Sequence, residues 1–294
     1  SGAILSGVNL SDAILTGADV SQTDLKGMNL TGVNFSDADL TDADLTDADL
    51  TGVNLTGMDL SGVNLTGVNL SGVNLSDVDL TCVNLTGATL SSADLRNSNL
   101  SGVDLTGVDL SDANLSGVHL TGANLSLVDL ARVDLKVATL LGVNLSGANL
   151  TGMDLSGADL TGANLSGAIL SGVNLSDAIL TGADVSQTDL KGAKMSDVSL
   201  SGADVRDSNL SGMDLSGVNL TGVNFSGASL EGANLSGANF TGVNLTGVNL
   251  TDADLKDASL TRADLSNTDL TRVNLESVAL SDLDLRGVNL KVAT

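Results

Sequence analysis

Apolar and polar positions follow a strict beat along this chain. From Leu5 to Leu290 every residue at a multiple of five is Leu, Val, Phe or Met: 51 Leu, 3 Val, 3 Phe and 1 Met over 58 positions, without insertion or deletion. On an α-helix, five steps of about 100° rotate each such residue by about 140° from the last, so the pattern would spiral round the helix. In a flat strand an odd period sends successive repeats to opposite faces. The pattern is satisfied if each pentad is a short extended piece followed by a corner. Every central residue then points to one axis.

The other four slots agree with that reading. Two residues before the centre, the 59 sites from Ala3 to Ala293 hold 26 Ala, 23 Val, 4 Met, 3 Thr, 2 Ser and Leu283. Positions i and i−2 share a side of extended backbone, so this slot also points inward. The residue between them is mostly Asp or Asn and points outward. All 34 glycines fall two residues after the centre, as in Gly7, Gly17 and Gly27. Glycine confined to one slot in five marks a corner that favours positive φ, with Asp, Asn and Ser as substitutes. The remaining slot, mostly Ser or Thr, suits a solvated turn.

Written A/V-D/N-L-S/T-G, the repeat resembles the pentapeptide repeat family over the whole chain, in some 58 consecutive units without a register break. The resemblance implies an all-β fold, a right-handed quadrilateral parallel β-helix with four pentads to a coil. At 20 residues per coil, 294 residues make about 14 to 15 coils, and at a spacing of about 4.8 Å the rod is roughly 70 Å long. The core is then a column of side chains, among them Leu5, Leu25, Phe35, Leu75, Leu120, Phe225, Phe240 and Leu290, too tight to hold a cofactor. No cofactor is expected.

Composition adds to this picture. A globular core draws on aromatic residues, yet the chain has no Trp, no Tyr and only three Phe. The absence of Pro and the even spread of Gly leave no linker, so residues 1–294 read as one continuous unit. A net charge of −24 opposes direct binding to nucleic acid or an anionic membrane. No run of 18 apolar residues is present, so no membrane span is expected, and SGAILSGVNL has neither a basic segment nor an apolar core of a targeting signal. One cysteine, Cys82, excludes an intrachain disulfide and leaves the compartment open, an extracellular or cell-surface place being favoured only for a fibre.

Few stretches depart from the consensus. Ile4, Ile14, Ile169 and Ile179 put apolar side chains in the outward slot. Residues 36–50 carry Asp37, Asp39, Asp42, Asp44, Asp47 and Asp49, which suit either a solvated acidic face, the simpler reading, or a hard cation; no EF-hand loop accompanies them. Cys82 occupies a glycine slot without a basic neighbour and reads as incidental. His119, the only histidine, reads as a surface residue, since it completes neither a metal site nor a triad. Between 125 and 145, Leu127, Val137 and Leu141 take normally polar slots beside Arg132 and Lys136, the candidate lateral contact. Lys256, Arg262, Arg272, Arg286 and Lys291 gather near the end, leaving the earlier part more acidic. Residues 1–27 recur unchanged as 166–192; with 20 residues per coil the offset of 165 rotates the copy by a quarter turn, so no single composed face is preserved.

A filled core, convex faces, one His and one Cys argue against an enzyme. The repeat runs in register to both termini with no visible cap, which leads us to expect either a segment of a longer solenoid or a protomer that stacks on copies of itself. The first functional expectation is therefore a structural scaffold, a rod or filament built by end-to-end stacking, with the chain itself as partner. The resemblance implies an alternative: some relatives are acidic, DNA-mimicking rods that bind a topoisomerase such as DNA gyrase. Those relatives carry an aromatic dimerisation module and interrupting loops that this chain lacks. A third reading is a general protein-interaction module.

Overall fold

The computed structural model describes residues 5, 8–60, 62–283, 285–291 and 293. It divides into two compact units, Ser1–Asn144 and Leu145–Thr294. In the first unit the outward residue of one pentad bridges in parallel to the residue 20 positions on, from Ile14 with Asn34 to Asn124 with Asn144. In the second the same register runs from Asn149 with Ile169 to Asp269 with Asn289. Twenty residues per coil and five per corner give each coil four sides.

The parallel β-helix that the resemblance implies is built with single-residue bridges between coils rather than extended strands. The reason is local. Each pentad spends two residues on a turn, which leaves one bridging residue per side.

In residues 93–97 every backbone donor is paired. Ala93 N–H donates to Leu90 O (3.0 Å), Asp94 to Val73 O (2.9 Å), Leu95 to Asn114 O (2.8 Å) and Asn97 to Ser116 O (3.1 Å). The fifth donor, Arg96 N–H, has no ladder partner and goes to the Asp94 carboxylate (3.2 Å). Four of the five carbonyls accept in the same scheme, from Asn114, Leu75, Ser98 and Asp77. The Asx slot is therefore filled by Asp or Asn because its side chain completes the backbone's hydrogen bonding, not only because it is wet.

The corner explains the glycines. Its carbonyl-to-amide bond spans three residues, as from Ala18 N to Leu15 O (2.9 Å), and the third residue of the turn has positive φ, +65° at Gly17. This is the type II pattern, which favours glycine there. Other residues take the slot with the same conformation, among them Asp12, Cys82, Leu127 and Val137, which have φ of 60°, 64°, 63° and 51°. For Leu and β-branched Val this is a strained backbone.

Inside, Leu25, Phe35, Leu75 and Leu120 of the first unit and Phe225 and Phe240 of the second are fully buried, the two Phe rings lying 5.9 Å apart at 45°. Hydroxyls in the inward slot are tolerated because they reach a central carbonyl: Ser98 Oγ donates to Leu95 O (2.7 Å) and Thr268 Oγ1 to Leu245 O (2.8 Å). Two residues assigned to the core column differ. Leu5 is only half-buried, and Leu290 is 50% exposed. Both lie on the outermost coils of the described residues, where one side of the column has no coil packed over it.

Candidate interaction surface

The functional surface of such a fold is built from its outward slot. Asp or Asn there accepts from the N–H two residues on, and a Ser or Thr in that position adds its hydroxyl: Thr56 donates N–H (3.1 Å) and Oγ1–H (2.7 Å) to Asn54. Asn also has donors, which reach back one coil. Asn124 Nδ2 donates to Asp104 Oδ1 (3.0 Å) and to Thr106 Oγ1 (2.9 Å), and Asn144 Nδ2 to Asn124 Oδ1 (2.9 Å). In the second unit Asn174, Asn209, Asn234 and Asn274 make the same bond to the Asp one coil earlier, each at 2.9 Å. These contacts run as side-chain ladders along the sides of each unit.

Their electrostatics follow from the donors. The Thr106 hydroxyl and N–H, with Asn124, hold Asp104 below the usual carboxylate range. Ser111 and Thr161 act likewise on Asp109 and Asp159. Ion pairs obey the coil register: Lys26–Asp44 (2.9 Å), Arg132–Asp112 (2.8 Å), Lys256–Glu276 (3.2 Å) and Arg272–Asp252 (2.5 Å) join neighbouring coils. Arg96–Asp94 (2.6 Å) and Arg206–Asp204 (2.7 Å) close within one pentad. All are solvent-exposed and contribute little each.

The carboxylates of the acidic stretch are divided between corners and sides of the coil. Asp37, Asp42 and Asp47 are corner residues with positive φ, whereas Asp39, Asp44 and Asp49 are outward residues accepting from Thr41, Thr46 and Thr51. Each five-residue step turns a corner, so their ladder neighbours are Asp19, Asp24 and Asn29 on three different sides. Among the described residues no three His, Cys, Asp or Glu groups converge to hold a metal ion.

The lateral-contact candidates disperse for the same reason. Leu127, Arg132 and Val137 occupy three successive corners, and Leu141 sits in the turn slot of the fourth, within the same 20-residue coil. Leu127 is 77% and Val137 86% exposed, and Arg132 is engaged with Asp112 across one coil. Cys82 is an exposed free thiol, and His119 is exposed with its backbone bridged to Asn99 and Thr139. Ile4 lies outside the described residues. A surface groove of about 310 Å³ is lined by Gly32, Val33, Asn34, Ser36, Gly52, Val53 and Asn54, with no titratable side chain. Among the described residues no helix is long and apolar enough to cross a membrane.

Reading the sequence alone missed the inter-coil bonds of Asn. Their signal was present in the Asx slot, but it becomes legible only once residues are compared at an offset of 20.

A family model described as pentapeptide repeats (8 copies) matches the chain in successive segments from 1–32 and 21–57 through 59–97 to 253–291. The chain belongs to the pentapeptide repeat family. No curated protein sequence matches it. Among solved structures, this pentapeptide repeat protein is similar to HetL, involved in heterocyst differentiation regulation in Nostoc sp. strain PCC 7120. That match has 29% identity over 83% of this chain and 89% of HetL, with a TM-score of 0.25. Full-length QnrB1, a plasmid-mediated fluoroquinolone resistance protein, matches at 19% identity over 73% of this chain and 90% of its own, with a TM-score of 0.27. Rfr23, a pentapeptide repeat protein from the cyanobacterium Cyanothece 51142, matches at 31% identity over 43% of this chain and 87% of its own, with a TM-score of 0.18.

Proposed function

We propose that this pentapeptide repeat protein is a non-catalytic structural scaffold, a right-handed solenoid of about 14 to 15 coils along residues 1–294 that associates with copies of itself coil edge to coil edge. The observation that supports this reading is the uniform 20-residue register. The same ladder bonds recur from coil to coil, so a coil edge without a neighbour offers another copy the donors, acceptors and apolar column that a coil of its own chain would. The surface offers little else to specify a partner: its polar groups are largely bonded to one another, and its exposed apolar residues stand apart.

Sedimentation velocity of the purified chain over a wide concentration range, with negative-stain microscopy, tests the reading. Concentration-dependent growth into end-to-end rods is expected, and a monomer that persists at the highest concentrations overturns it.

An acidic rod that binds a topoisomerase such as DNA gyrase is the second reading. It is favoured by carboxylates stacked one coil apart, Asp19 with Asp39 and Asp59 with Asp79, and by a segment from residue 27 to residue 95 without Lys, Arg or His. Inhibition of supercoiling by the purified protein would support it over self-association, and an unaffected gyrase would remove it.

A further inference from the structure

We draw no further inference here: the strongest candidate, the exposed apolar side chains of Leu127, Val137 and Leu141 around the coil that also carries Arg132, is spread over separate corners of the first unit, and nothing in the structure shows what covers it.

Discussion

Residues 11–27 and 176–192 have the same sequence and different surroundings. Their backbones agree: Asp12 and Asp177 both have φ of 60°, Gln22 and Gln187 have 55° and 60°, and Leu25 and Leu190 are both fully buried. Their side chains do not. Thr188 donates its hydroxyl to Val185 O (2.7 Å) and its N–H to Ser208 Oγ (3.3 Å), 20 residues on. At the equivalent place Thr23 has Ala43 one coil on, and its hydroxyl makes only a long bond to Ser21 O (3.3 Å). Lys26 finds Asp44 at 2.9 Å, 18 residues ahead, whereas that place ahead of Lys191 is Asn209. Ile14, bridged to Asn34, is 80% exposed; Ile179, bridged to both Asp159 and Ser199, is 40% exposed. Conformation in this fold is set by the pentad, and side-chain chemistry by the residue one coil away.

Substitutions made in parallel in the two copies sharpen this division. The largest effect is expected where both copies agree. Leu25→Asp and Leu190→Asp each bury an unpaired charge in the central column and should cost roughly 3–5 kcal/mol, by chemical denaturation of either variant. A large effect in one copy and none in the other would mean that the pentad does not set burial. The next effect should differ between copies. Thr188→Val removes a buried hydroxyl with a good acceptor and should cost about 1 kcal/mol, whereas Thr23→Val should be close to neutral. Equal losses in the two variants would contradict the assignment of side-chain chemistry to the neighbouring coil.

Smaller effects are electrostatic. Ser21 donates both hydroxyl (2.6 Å) and N–H (3.1 Å) to Asp19, and these bonds hold its carboxyl below the usual range. At the repeated site Ser186 donates its N–H to Asp184 (3.0 Å). A depressed folded value means that the contribution of Asp19 is present above the ordinary carboxylate range and is lost as pH falls through the folded value. Ser21→Ala should therefore lower the melting temperature slightly near neutrality, and the difference from the parent should shrink on acidification; a difference that grows in acid would refute this. The smallest effect belongs to the exposed ion pair. Lys26→Met should lower stability marginally and only at low ionic strength, while Lys191→Met should leave it unchanged in a salt series.

The contrast also explains what the sequence disclosed. Inward, outward and corner slots were readable because they are properties of five consecutive residues: a centre such as Leu75, its inward companion Val73, the Asx residue Asn74 between them and the corner Asp77. The number of pentads in a coil is not a local property, and the repeat alone leaves it open. Without that number Asp37 to Asp49 look like one acidic surface, and Leu127, Val137 and Leu141 like one apolar patch. With it, each set is distributed round a coil. Leu5 and Leu290 show the complementary effect, since a pentad that obeys the repeat is buried only when coils lie on both sides of it.

The coil register is thus the claim on which the rest depends, and a pair of engineered cysteines tests it. In a chain with Cys82→Ser, Asn74→Cys with Asp94→Cys places the two thiols on bridged residues of adjacent coils. Parallel strand neighbours about 4.8 Å apart fall within the Cα separation a disulfide needs, roughly 4.4–6.8 Å. Asn74→Cys with Asn99→Cys shifts the second thiol by one pentad, round a corner. Mild oxidation should cross-link the first pair within one chain and leave the second pair reduced. A cross-link in the second pair with none in the first would contradict the four-pentad coil.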